Sequence, residues 1–183
     1  QIIGSGSHTH TEPALQALPE QYLTVKDSSG EYSAFHLNLI KDYTKELESE
    51  IVALVRNAFN SIEPVRLLSG QGVTRFAVNR RFNGTKNSVN ELVQELDGPV
   101  DHSVPVIKVE SRSGTVLAVV FGYACHSTTL SINKWTGDYP GFAQLELEKI
   151  FPGTTAMFFA GTGADQNPLP RRTVSYALQY GKS

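Results

Sequence analysis

The sequence predicts an α/β fold, a mixed β-sheet flanked by helices, and three features carry that prediction. A long stretch from Phe35 repeats apolar residues in steps of three and four, two β-branched runs flank a short polar turn, and a third such run follows an amphipathic segment. With 40% of its 183 residues hydrophobic and 19% charged, the chain has material for one sizeable core, so residues 1–183 read as a single domain.

Gln1-Ile2-Ile3-Gly4 opens the chain without an initiating Met, and a histidine pair follows at once. That start reads as a portion of a larger protein whose front, with any targeting segment, is missing. Thr11 to Pro19 reads as a loop restricted by Pro13 and Pro19, and Ser28-Ser29-Gly30 as a flexible turn. The helical stretch places Leu39, Tyr43, Leu47, Ile51, Leu54, Val55, Ala58 and Phe59 on one face, with Lys41, Lys45, Glu46, Glu48 and Arg56 elsewhere. It is expected to be a core-packed amphipathic helix ending before Pro64. Val65–Leu68 and Thr74–Val78 read as strands around a turn at Gly70-Gln71-Gly72, which lacks the Gly-Lys-Ser/Thr ending of a phosphate loop. Asn79 to Asn87 reads as a loop. Val104–Val109 and Val116–Phe121 flank Ser111-Arg112-Ser113-Gly114 and are expected to pair as an antiparallel hairpin. Phe142, Leu145 and Ile150 are the expected buried positions of the next helix, with Asp138 placed to cap it and Pro140 in its first turn. The strand Thr154–Ala160 then leads into a glycine-rich turn.

Composition excludes several classes of function. A net charge of −2 and a pI near 6.2, without a Lys/Arg cluster interleaved with aromatics, give nucleic-acid phosphates no basic field to bind. The single cysteine, Cys125, forms no internal disulfide and no Cys-rich zinc module, so a metal here needs His, carboxylate or phenolate ligands. No apolar run approaches the roughly 20 residues of a spanning helix.

Chemistry gathers at three places. In Ser7-His8-Thr9-His10, residues two apart share a face if the segment is extended, so both imidazoles can address one metal or one substrate; a solvated edge strand is the plain alternative. His126 ends the strand through Gly122-Tyr123-Ala124-Cys125 and opens into Ser127-Thr128-Thr129, where sites on α/β sheets form; the plain alternative is a satisfied core histidine. Strand alternation sends Cys125 to the opposite face, as a small buried hydrophobe rather than a nucleophile. The third place is Gly161-Thr162-Gly163-Ala164-Asp165-Gln166-Asn167-Pro168, several polar groups just past a buried strand, which reads as a pocket wall.

Five segments then occur in order: HTHTEP at His8–Pro13, NRR at Asn79–Arg81, GYACHSTTL at Gly122–Leu130, GDYPGFA at Gly137–Ala143 and GTGADQNP at Gly161–Pro168. Together they resemble the N-terminal catalytic domain of the neutral/alkaline non-lysosomal ceramidase family, zinc amidohydrolases of sphingolipid metabolism that cleave the N-acyl bond of ceramide. The resemblance implies that the chain is an incomplete portion of that larger catalytic domain. It implies zinc as cofactor, His8 and His126 as zinc ligands, and His10 and Arg80 as catalytic groups beside the scissile amide. Asp165, Gln166 and Asn167 are implied to contact substrate. It also implies a lipid or other N-acyl amide as substrate, peripheral contact with a membrane, and a secreted, periplasmic or membrane-associated setting.

Two departures refine the expectation. The family completes its zinc shell with a glutamate and a tyrosine downstream of these motifs, and this chain stops at Ser183, so on its own it is expected to bind zinc poorly and to be inactive. Where the family tends to read Gly-Asp-Val-Ser-Pro-Asn, this chain has Ala164-Asp165-Gln166-Asn167-Pro168, and Gln166 replaces a hydroxyl with an amide. The pocket is therefore open to a substrate other than ceramide. Two other classes compare less well. A phosphoesterase of the polymerase-and-histidinol-phosphatase type also begins on a His-x-His-Thr strand, but it needs more acidic and His ligands than the five histidines, His36 and His102 included, supply. A non-catalytic binding domain on a hydrolase scaffold is the remaining alternative.

Overall fold

The computed structural model describes residues 2–16, 26, 28–31, 33–82 and 98–183. The segments 17–19 and 83–87, both read as loop from the sequence, lie outside the described residues. In chain order the elements are α1 (Ala34–Asn60), β1 (Val65–Val73), β2 (Ala77–Asn79), β3 (Ser103–Ser111), β4 (Val116–Tyr123), α2 (Asp138–Ile150), β5 (Thr155–Ala160), β6 (Gln166–Pro168) and α3 (Val174–Gly181). They fall into two compact units, one of residues 13–63 and one of residues 1–12 and 64–183.

The larger unit is the α/β structure that the alternating strand and helix signals predict, with a four-stranded mixed sheet in the order β1-β3-β4-β5. β3 and β4 form the antiparallel hairpin, with a bulge between Val109 and Glu110. β4 and β5 are parallel, from Ala118↔Thr155 to Tyr123↔Ala160, because the chain returns to the start of β5 through α2, the crossover that parallel pairing requires. α2 packs against β5 and α3, but of its expected buried positions only Phe142 is partly buried, while Leu145 and Ile150 are exposed because the helix turns them away from that contact. A second, two-stranded sheet pairs β2 with β6, so that Asn79 lies opposite Gln166.

β1 corrects one expectation. It runs unbroken from Val65 to Val73 through Gly70-Gln71-Gly72, paired with Val106, Pro105 and Val104 of β3. Neither glycine has the positive φ that a tight turn would demand, so what reads as turn composition is extended backbone at the edge of the sheet. The strand expected at Thr74–Val78 is shorter, and it pairs with β6 rather than with β1.

The smaller unit contains α1, which spans the predicted helix. None of its residues is buried, and Leu39, Ile51, Leu54 and Phe59 are each half or more exposed. The expectation of a core-packed helix therefore does not hold. Periodicity reports which residues share a face and is silent on whether a surface lies against it. Among the described residues no helix is long and apolar enough to cross a membrane.

The core of the larger unit is aromatic. Phe76 stacks on Tyr180, with ring centroids 4.2 Å apart and planes at 12°, and meets Tyr139 edge-on at 5.0 Å and Tyr123 tilted at 4.9 Å. Each phenol has a partner: Tyr123 Oη donates to the Thr74 carbonyl and accepts from Ala77 N–H, Tyr139 Oη donates to the Cys125 carbonyl, and Tyr180 Oη donates to the Pro170 carbonyl. Phe76 thus joins β4, α2 and α3 at one point. Phe76→Ala is expected to cost about 3–5 kcal/mol in urea unfolding, whereas Leu145→Ala, at an exposed position of α2, should stay within about 0.5 kcal/mol of the parent.

Candidate metal centre

His8 and His10 are tied to the segment that follows β4 through an isolated parallel bridge between Thr9 and Ser127. The Ser127 hydroxyl donates to the Ser7 carbonyl at 2.7 Å, and the Thr9 and Thr11 hydroxyls both donate to the carbonyl of Thr136, whose N–H in turn donates to the Thr11 carbonyl. Thr9 and Thr11 are buried, so the threonines fix the segment while the histidines project the other way. Its backbone is not the plain extended strand that the two-residue spacing assumes. His8 has φ +52°, in the left-handed region that a residue with a Cβ enters at some cost, and the flanking hydrogen bonds hold it there.

His126 arrives from the other direction. Because β4 and β5 are parallel and in register to their ends, the segments beyond them leave the sheet side by side. The His126 N–H donates to the Gln166 carbonyl, and its Nδ1 lies 2.8 Å from the Gly163 carbonyl. A carbonyl only accepts, so Nδ1 carries the proton and Nε2 keeps its lone pair, the arrangement by which proteins orient a metal-ligating imidazole. Glycine is required at 163, since a Cβ there would stand 2.3 Å from the Cys125 nitrogen.

The three imidazoles meet. Ring centroids are 5.1 Å apart for His8 and His10, 5.0 Å for His8 and His126, and 5.8 Å for His10 and His126, and one nitrogen from each lies within 4.8 Å of the others. Burial, then the neighbouring His8, His126 and Arg80, hold His10 below its ordinary pKa, with Asp138 pulling the other way. Burial is also the largest cause lowering His126, opposed by its Gly163 hydrogen bond. Both are therefore neutral at pH 7, the form that binds metal. The donor set, neutral nitrogens with no thiolate, fits zinc.

Two acidic groups near the histidines are already engaged. Asp138, 1% exposed, is not the cap expected from the sequence: Gly137 holds that position, and Asp138 is the first residue of α2. Besides the Tyr139 N–H at the start of α2, it accepts from Thr129 N–H at 3.1 Å and Leu130 N–H at 2.8 Å, tying the segment after His126 to the helix. Asp165 accepts from Asn79 Nδ2 and Gln166 Nε2, and the Gln166 hydrogen bond is the largest cause holding its carboxyl below the usual value. Gln166 and Asn167 are buried in β6, and Gln166 also donates to the Pro99 carbonyl. These residues frame Arg80, whose N–H donates to the Asp165 carbonyl at 2.7 Å, while Asn79 Oδ1 accepts from the Arg81 and Phe82 N–H groups. Cys125 is fully buried, and burial pushes its thiol well up, so the group beside His126 in sequence is no nucleophile.

No family model matches the chain. Among curated proteins it is 28% identical over 168 residues to neutral ceramidase A of Dictyostelium discoideum, an alignment covering 88% of this chain and 21% of that protein. The chain is thus similar to a neutral ceramidase over most of its own length. Two solved structures share its fold. One is neutral ceramidase from Pseudomonas aeruginosa, with TM-score 0.59, 18% identity, and coverage of 82% of this chain and 25% of that one. The other is a ceramidase complexed with C2, with TM-score 0.61, 19% identity, and coverage of 82% and 24%. The chain thus spans about a fifth of the length of the curated relative and about a quarter of each solved chain.

Sequence reasoning missed two supports of this centre, the Gly163 carbonyl and the buried Asp138 carboxylate. The Gly161-Thr162-Gly163 spacing after a strand is a signal for the first, because glycine is what a close backbone approach requires. Gly163→Ala is expected to destabilise the fold by at least about 3 kcal/mol in thermal unfolding and to weaken metal binding about 10–100-fold in calorimetric titration, since clash and loosening of His126 act together. A second prediction follows from the depressed histidines. In the window below the ordinary value of 6.5 the unfolded chain binds protons that the folded chain does not, so stability is complete above 6.5 and falls as pH drops through the folded values. Urea unfolding of metal-free protein should show this loss between pH 7.5 and 5.5, and His10→Asn should reduce the slope.

Proposed function

We propose that this chain carries part of the centre of a ceramidase-like, zinc-dependent amide hydrolase whose substrate is the N-acyl linkage of ceramide or a related lipid. The observation that carries the reading is the convergence of His8, His10 and His126 from opposite ends of the larger unit, with His126 held by Gly163 so that Nε2 is free to ligate. Relatedness to neutral ceramidase A supports the reaction class.

In this reading His8 and His126 hold the ion. The chemistry such an ion supplies when bound is Lewis acidity, which makes water a nucleophile near neutral pH and polarises a carbonyl. His10, neutral and of depressed pKa, accepts a proton from the attacking water and returns it to the departing amine. The guanidinium of Arg80, whose charge acts on both His10 and His126, offsets negative charge on the amide oxygen. Asp165, Gln166 and Asn167 form the wall behind Arg80.

The similar spacing of the three rings, 5.0–5.8 Å between centroids, favours a second arrangement, in which His10 is a third ligand. Substitution separates the two. With His8→Ala and His126→Ala, zinc affinity measured by competition with a chelator should fall about 100-fold or more. His10→Ala should keep zinc and lose turnover on an N-acyl substrate if it transfers protons, and lose both if it is a ligand. Unchanged zinc affinity in His8→Ala and His126→Ala together would overturn the proposal.

A further inference from the structure

Several buried polar atoms of the larger unit have no hydrogen-bond partner among the described residues. The Arg171 Nε and the hydroxyls of Thr128 and Thr129 are among them. Their two segments are held together, because the Arg172 N–H donates to the Thr129 carbonyl at 2.5 Å and the threonines directly follow His126. Burial, then the charges of Arg172 and Arg80, draw the Arg171 guanidinium below its ordinary value, so two like charges stand near it. Neither Arg80 nor Arg171 forms a salt bridge among the described residues, and the nearby Asp138 and Asp165 are engaged by backbone and amide N–H groups. Buried polar atoms without partners, and a guanidinium on which other positive charges act and with which no carboxylate pairs, describe a place prepared for an anion.

We propose that Arg171, with the Thr128 and Thr129 hydroxyls beside it and the charge of Arg80 behind it, is an anion-binding residue next to the three histidines, fitted to an N-acyl amino acid whose carboxylate it receives. The proposal rests on the amide hydrolase reading and names a substrate class for it. A planar guanidinium matches a carboxylate through two parallel N–H···O bonds, which the hydroxyl of a neutral amino alcohol cannot reproduce. Attached to the amine side of the amide, such a carboxylate fixes the scissile bond relative to the imidazoles. A neutral headgroup makes no such pair with the partly buried guanidinium, so among the N-acyl lipids of the reading above the carboxylate-bearing ones are favoured.

The test compares N-octanoylglycine with N-octanoylethanolamine, which share an acyl chain and differ in carboxylate against hydroxymethyl. In calorimetric titration of the metal-free protein, the glycine conjugate should bind about tenfold or more tightly than the ethanolamine conjugate, as a charge-assisted hydrogen bond provides. Arg171→Gln should remove that preference while leaving ethanolamine binding within about threefold, and Arg171→Lys should restore only part of it. With zinc present, the same variant should raise KM for the glycine conjugate far more than it lowers kcat. Equal binding of both conjugates by the parent protein, or equal weakening of both in Arg171→Gln, would overturn the proposal. Failure of the hydrolase reading is separate: Arg171-dependent binding of the glycine conjugate, without cleavage of either amide by the zinc-loaded full-length protein that contains this chain, would leave the anion site standing and remove the reaction.

Discussion

The parallel pairing of β4 with β5 is the constraint on which the candidate centre depends. A parallel pair in register to its last residues sends both chains out of the same edge of the sheet, and here the pair ends at Tyr123 and Ala160. The chain beyond β4 then carries His126, and the chain beyond β5 carries Gly163, whose carbonyl takes the proton of the imidazole. Glycine at 161 and 163 permits the approach, because a Cβ at either position would press on the backbone of Ala124 or Cys125. An antiparallel β5 would leave the sheet at the other end and deliver no acceptor. The crossover helix α2 therefore has a consequence beyond filling the core. It sets the direction of β5, and through that the tautomer of His126.

α2 contributes a second time through Asp138. A carboxylate almost fully removed from water is costly unless its lone pairs are filled, and three backbone N–H groups fill them. Two of the three belong to the segment after His126, so the charge joins the histidine loop to the helix while the Tyr139 ring beside it enters the aromatic core. The Thr136 carbonyl just before it receives the hydroxyls of Thr9 and Thr11. Both histidine-bearing segments are thus referenced to the start of one helix, although they lie more than a hundred residues apart in sequence.

Local patterns made the elements legible, and long-range geometry did not show itself. The three-and-four spacing from Leu39 to Phe59 marks α1, and the β-branched runs mark β3, β4 and β5, because each signal is written within a few residues. Gly70-Gln71-Gly72 misled, since glycine is compatible with a turn and with an exposed edge strand alike, and only pairing with β3 decides. The exposed stripe of α1 could not be foreseen for the same reason: a period has no knowledge of a partner. His8 and His126 were legible as candidates by residue type and place, yet their common focus depends on the Thr9–Ser127 bridge, which no local pattern encodes. Asp138 reads as a helix cap from its position, and its larger task follows from burial, a property of the folded chain.

His10 shows how these constraints combine into chemistry. It stands between opposed influences: burial, Arg80 and two other imidazoles favour its neutral form, while the Asp138 carboxylate favours the charged one. The balance leaves it neutral at pH 7, the form that the proposed role as proton acceptor needs. Asp138 can exert this influence only because its own charge is held by backbone donors rather than by an arginine, since a paired arginine would cancel its field. The same hydrogen bonds that fix the loop therefore preserve the negative potential that His10 feels, so one buried carboxylate both supports the loop and opposes the influences that keep His10 neutral.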